Sequence, residues 1–191
     1  MASPQHRLPG EPRWLALDAA PAARVPAPVL AWLADEASLT RRVTDACAGR
    51  FSVRVVRQQW GMPLPSERKL LALPLRAACL VREVELLCNG VPQVFARTLI
   101  PATSLRGAAR RLARLRNRPL GAVLFADPRT RRERIEIARF SPRHRLYWAA
   151  TAHLDPRPPV LWGRRTLFRY VGRPILVNEL FLPALLSRRL R

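Results

Sequence analysis

Three charged side chains stand where charge is costly, and their spacing suggests what they could do. Glu179 lies in ILVNELFLP, where strand alternation puts it on one face with Ile175, Val177 and Phe181. A carboxylate among apolar neighbours must be paired, hydrogen-bonded or neutral. Either Glu179 reaches water or a structural arginine at the sheet edge, or it belongs to a site.

Arg82 and Arg97 come from CLVREVELLCNGVPQVFARTLI, residues 79–100. Asn89-Gly90 between two alternating runs signals a two-residue type I′ hairpin. If Cys88 faces Val91, paired positions sum to 179 and Arg82 falls opposite Arg97. Leu80, Val84, Leu86, Phe95 and Leu99 share their face. Two guanidiniums directly opposite on an apolar face repel. A bound anion, a facing carboxylate such as Glu179, or solvent at the sheet end would relieve that. The other face, with Val81, Val94, Ala96 and Ile100, is an alternative core, but it also carries Glu83 and Glu85, which suit water better. The balance favours an anion site.

The elements that would position these residues are legible in outline. Residues 161–183 read as two strands around a tight turn at Gly172-Arg173. Pro28 suits a helix's first turn, with Val29, Leu30 and Leu33 on one face. Ser38 can cap a second helix, LTRRVTDACA, that stops at Gly49. Phe51 to Trp60 alternates as a strand, and residues 61–74 form a proline-rich connection with a helical turn at 66–73 that could cover something. Thr103 or Ser104 can cap SLRGAARRLARLR, whose basic face suits solvent; Pro119 can begin PLGAVLF, and 130–139 reads as a strand. Residues 141–160, with four prolines, read as an insertion or surface loop. Residues 1–27 are a proline-rich, loosely ordered leader that Trp14 and Leu17 tack to the body, and 187–191 form a basic tail.

Bulk composition narrows the classes. Hydrophobic residues make up 49% of the 191-residue chain, which excludes a mainly disordered protein and allows one domain with a real core. The net charge is +21, and Lys69 is the only lysine. The arginines are scattered, which fits chain-wide use of arginine for lysine better than a nucleic-acid surface. Cys47, Cys79 and Cys88 are odd in number and include no CxxC; with His6, His144 and His153 far apart, no zinc site or disulfide framework is expected, favouring a reducing cytoplasm. No signal peptide and no membrane span is indicated.

LWGRR at 161–165, the Gly-basic-Pro of 172–174 and the NELFLP that follows resemble the C-terminal signature of the chorismate lyase family. WLADEASLTRR (32–42), PLGAVLF (119–125) and IEIAR (135–139) are similar to further family motifs in the same order. The resemblance implies an α+β single domain over 28–186: one antiparallel sheet of about six strands, helices on one side, and helical flaps over a buried site. It implies conversion of chorismate to 4-hydroxybenzoate and pyruvate, the first step of ubiquinone biosynthesis, with no metal, flavin or nucleotide. The chain is expected to be a cytoplasmic monomer without a nucleic-acid partner. Arg82 matches the family arginine that holds the ring carboxylate, with the backbone amides of Leu39 and Leu120 completing that end. Glu179 matches the glutamate that hydrogen-bonds the ring hydroxyl, where it would orient that group and shuttle a proton. Arg97 would then meet the enolpyruvyl carboxylate or the departing enolpyruvate, an assignment that rests on the hairpin register. Leu39 replaces a usual methionine, and Leu80 a common tryptophan. The same fold also serves as a ligand-sensing module of transcription regulators, but residues 1–27 are too short for a DNA-binding domain, and the Arg82/Glu179 pair favours an enzyme.

Overall fold

The computed structural model describes residues 10–18 and 25–187. In chain order the elements are β1 (Leu15–Ala16), α1 (Ala27–Leu33), α2 (Leu39–Asp45), β2 (Phe51–Gly61), α3 (Pro65–Leu70), β3 (Cys79–Cys88), β4 (Val91–Pro101), α4 (Leu120–Leu124), β5 (Arg131–Phe140), α5 (Arg145–Ala150), β6 (Leu161–Tyr170), β7 (Arg173–Phe181) and α6 (Pro183–Leu186). Residues 102–104 and 107–114 form 3-10 turns instead of one continuous helix. The strands make a single antiparallel sheet in the order β1-β5-β6-β7-β4-β3-β2. The α+β antiparallel architecture is therefore present, with a seventh strand drawn from the leader. Leu15 pairs with Ile137, and Trp14 meets Phe140 edge-on at 5.5 Å, so residues 10–18 are fastened to the body. The rest of the leader (1–9 and 19–24) and tail residues 188–191 lie outside the described residues.

The register of the β3–β4 hairpin departs from the simple count. At the turn the expected pairing holds: Cys88 faces Val91 and Leu87 faces Pro92. Asn89 and Gly90 have φ of 50° and 78°, as a type I′ turn requires. Then Gln93 is left over as a β-bulge, and from Leu86↔Val94 onward every pair sums to 180. Arg82 therefore faces Thr98, and Arg97 faces Glu83. A one-residue slip moves every later side chain to the opposite face, so Arg97 leaves the face that carries Arg82.

The second hairpin also turns one residue earlier than expected. Val171 and Gly172 are the turn residues, with φ of 50° and 75°, and pairs sum to 343. A β-branched residue at positive φ is disfavoured, which is why Val171 does not read as a turn residue. Moving a turn by one shifts the pairing sum by two, so faces are preserved and Glu179 stays with Val177 and Phe181. Its partner on β6 is Arg164.

Helices cover both faces. On the front face, α1 and α2 bring Trp32, Leu33, Leu39 and Val43 onto Val84, Leu86, Ala96 and Phe181. Leu112, Leu115 and Leu124 cap the same face further along, against Ile100, Phe168 and Val177. On the back face, residues 141–160 are more than a surface loop: Leu146, Tyr147 and Ala150 of α5 are buried against Phe95, Phe140, Leu161 and Leu180. Leu71, just after α3, packs there with Val81, Leu99 and Leu176. With both faces covered, β3 is buried at every position, and Glu83 and Glu85 are buried with it instead of facing water. They are paired: Glu85 with Arg54 and His153, Glu83 with Arg57 and Arg97.

One cysteine expectation is overturned. Cys47 and Cys88 form a disulfide, and Cys79 is a free, buried thiol pushed up to about 11 chiefly by burial. The pairing is invisible to spacing because the partners are 41 residues apart. It arises because α2 crosses the front face and delivers its C-terminal turn to the end of the β3–β4 hairpin. The contact there is also polar: Arg50 and Asn89 bond through both backbone and the Asn89 side chain, at 2.9 and 2.8 Å.

Candidate active site

A cavity of about 50 Å³ lies between the front face of the sheet and two helix starts. Its floor is Val84, Ala96 and Val177, with Arg82 at one end and Glu179 at the other. Arg82 pairs with Thr98, Thr98 with Val177, and Glu179 lies two residues further along β7. Strand spacing then separates the two Cα atoms by roughly 12 Å along the diagonal. The two long side chains reach inward across that span from opposite ends of the apolar floor.

Residues 38–40 and 119–121 form the roof. Ser38 caps α2, its Oγ accepting from the Arg41 amide. Leu39 is then the first residue of α2 and Leu120 the first of α4. First-turn amides have no carbonyl partner inside their helix, so both are donors at the cavity's edge. The two helix starts meet at Gly121, where a Cβ would sit 3.0 Å from Thr40 Oγ1 and 3.1 Å from Ser38 Oγ. The absent side chain lets the roof close.

Arg82 is 2% exposed. Its Nη1 donates to Gln58 Oε1 at 2.8 Å, and Nη2 to the carbonyls of Arg116 and Arg118 at 2.6 and 3.4 Å. Among the described residues it forms no ion pair, and burial pushes its pKa down. A buried cation held only by neutral acceptors is poised for a carboxylate.

Glu179 joins the two readings that its sequence left open. It does pair with a structural arginine: Arg164 Nε donates to Oε2 at 2.6 Å. It also lines the cavity, and Oε1 makes no hydrogen bond among the described residues. Arg164, 1% exposed, ties this carboxylate to the end of α1 by donating to the carbonyls of Trp32, Leu33 and Asp35. Sequence reasoning missed Arg164 and Gln58. Arg164 had a signal, since the hairpin parity already places it on Glu179's face; Gln58 had none, because its contact depends on strand β2.

Arg97 is on the back face. It makes a bidentate pair with Glu67 at 3.0 and 3.2 Å and a third bond to Glu83 at 2.7 Å. Asn178 Nδ2 donates to Glu67 Oε1 at 3.0 Å, and Glu67 Oε2 accepts the Leu64 amide that opens α3. The bulge at Gln93 is the reason: it removes Arg97 from Arg82's face and gives it carboxylate partners. Among the described residues no group of three or more His, Cys, Asp or Glu could hold a metal ion, and no helix is long and apolar enough to cross a membrane.

Known proteins share this arrangement at two levels. Solved structures share the fold alone: PhnF from Mycobacterium smegmatis superposes with a TM-score of 0.55 at 16% identity over 79% of this chain and 66% of that one. A GntR-family transcriptional regulator from Enterococcus faecalis does so with a TM-score of 0.50 at 16% identity, over 75% of this chain and 98% of that one. Sequence relatives are nearer. The "probable chorismate pyruvate-lyase" of Methylococcus capsulatus is 49% identical over 158 residues, covering 82% of this chain and 95% of its own. The protein of the same name from Azoarcus sp. is 46% identical over 187 residues, 96% of each chain. The family model for chorismate lyase matches residues 12–190. With Arg82, Glu179 and the two helix starts gathered around one cavity, the chain belongs to the chorismate lyase family.

Proposed function

We propose that this protein eliminates pyruvate from chorismate to give 4-hydroxybenzoate, without metal or organic cofactor, as the entry step to ubiquinone. The observation that carries this reading is Arg82, a buried guanidinium with no carboxylate partner among the described residues, facing Glu179 across an apolar floor. The ring carboxylate of chorismate pairs with Arg82, assisted by the amides of Leu39 and Leu120. The hydroxyl on the far side of the ring then meets Glu179.

The chemistry is redox-neutral overall. The ring carbon bearing the hydroxyl loses its proton, and those electrons complete the aromatic ring. The neighbouring C–O bond breaks, its electron pair leaves with enolpyruvate, and enolpyruvate takes up a proton to become pyruvate. Chorismate supplies every atom of both products. The protein's task is to hold two carboxylates, orient the hydroxyl and handle one proton, which preorganised charge can accomplish. Glu179 orients the hydroxyl and relays the proton, while Arg164 fixes its position. A cavity of about 50 Å³ holds only a few waters, so the starts of α2 and α4 part to admit substrate and close over it.

The test is to mix purified protein with chorismate in the presence of a metal chelator and no added cofactor. Equal amounts of 4-hydroxybenzoate and pyruvate are expected. Tight chorismate binding without turnover would instead make this a sensing module; restoration of a dead, chelated protein by one divalent ion would overturn cofactor independence.

A further inference from the structure

Chorismate carries a second carboxylate, on the enolpyruvyl ether, next to the ring carbon whose hydroxyl meets Glu179. That group must lie at the Glu179 end of the cavity. Arg97 is excluded from it by the bulge. Arg164 is already committed to Glu179 and to three backbone carbonyls. Arg118 lines the opposite end, where its own carbonyl accepts from Arg82.

Arg132, near the start of β5, does not line the cavity itself but stands directly behind its wall, paired with Phe168. Its guanidinium carbon lies 5.6 Å from the ring centre of Phe125 and 5.3 Å from that of Phe168, and both rings line the cavity. Its terminal nitrogens donate to the carbonyls of Glu36 and Ala37, directly before Ser38 and Leu39 of the roof. Its Nε is buried and has no hydrogen-bond partner among the described residues, and the side chain forms no ion pair there. A buried, unsatisfied N–H on a cation is costly unless something accepts from it. Burial, and after it the charge of Arg164, push the pKa of Arg132 down, against smaller opposing effects of Glu179, Glu36 and Asp35. An anion would favour its charged form.

Resting on the function proposed above, we infer that Arg132 is the second carboxylate-binding residue, holding the enolpyruvyl carboxylate through Nε and stabilising the charge that develops on departing enolpyruvate. The two cations then divide the dianion: Arg82 takes the ring end, Arg132 the leaving group. The division gives each a different relation to product, because 4-hydroxybenzoate keeps the ring carboxylate and has lost the other.

The experiment compares Arg132→Met, whose apolar side chain can still pack on the Phe125–Phe168 pair, with Arg82→Ala. Steady-state kinetics with chorismate and titration with 4-hydroxybenzoate are run on both, after wild type has been shown to turn over. Arg132→Met is expected to lower kcat/KM about 100-fold while leaving the Kd for 4-hydroxybenzoate within about threefold. Arg82→Ala is expected to lose both. Arg132→Lys, with a point charge but no fork, should lose roughly 10-fold in kcat/KM and nothing in product affinity; it supplies the same comparison if the methionine variant does not fold. The inference is overturned if these variants keep wild-type kcat/KM, or if product affinity falls as far as turnover, which would make Arg132 only a clasp for the roof. A wild type that binds 4-hydroxybenzoate but never turns over chorismate would overturn the proposed function, and this inference with it.

Discussion

Arg82 and Arg97 lie on opposite faces of one sheet, and the single extra residue Gln93 puts them there. The two arginines therefore have opposite energetics. Arg82 is buried against neutral acceptors, whereas Arg97 is buried between two carboxylates.

For Arg82→Ala, kcat/KM for chorismate should fall about 100-fold, roughly 3 kcal/mol of transition-state stabilisation. Arg82→Lys should recover part of this, since a point charge cannot make the fork contact. No buried carboxylate is left behind, so the unliganded melting temperature should stay within a few degrees of wild type, while the shift produced by 4-hydroxybenzoate shrinks. Thermal melts with and without product measure both. A much lower melt that keeps the full product shift would make Arg82 structural.

Arg97→Met should do the reverse. Glu67 and Glu83 would remain buried without their shared cation, which typically costs about 3–5 kcal/mol. Adding Glu67→Gln should return part of that. Urea titration of the single and double variants is the check, and a single variant as stable as wild type would contradict the pairing.

Asp127 gives a pH dependence with a definite sign. Side-chain and backbone hydrogen bonds from Arg129 hold its pKa at about 2. The unfolded value is about 3.9. Its contribution is thus fully present above about pH 4 and is lost as pH falls from there through 2. Asp127→Asn should flatten that limb of an acid titration followed by circular dichroism. An unchanged acid limb would show that the Asp127–Arg129 contact does not form in solution.

The Cys47–Cys88 bond closes a loop of 41 residues. Loop-closure entropy at that length is worth about 4 kcal/mol, offset by any native strain. A thiol reductant, or Cys47→Ser, should lower the melting temperature by several degrees. Equal melts with and without reductant would mean that the link contributes nothing to stability.

At the second hairpin, Val171 occupies a left-handed conformation with φ of 50°. Asn tolerates that region far better. Val171→Asn should stabilise the protein by about 0.5–1 kcal/mol, less whatever Val171's partial burial against Tyr170 and its neighbours contributes. A denaturant midpoint that moves downward would show that packing outweighs the backbone term.

Much of this protein was decided locally and could be read locally. Asn89-Gly90 specifies its turn because few other pairs tolerate two positive φ angles. Ser38 marks the start of α2, and alternation alone puts Glu179 on the face of Val177 and Phe181, since a strand's period of two needs no partner. Arg82, Leu39 and Leu120, each matched to a family position, all line the same cavity. What the tertiary structure decided was everything that depends on a neighbour out of sequence. A bulge is one residue among otherwise regular alternation, so the face of Arg97 was not legible until β4 was laid against β3. The burial of Glu83 and Glu85 needed α3 and α5 to cover the back face; the disulfide needed α2 to cross the front. The pairing of Glu179 with Arg164, and the absence of any ion pair for Arg82 and Arg132 among the described residues, follow from which charges the sheet brings within reach. Side-chain type is written in the chain, but whether a charge is satisfied is a property of the space around it.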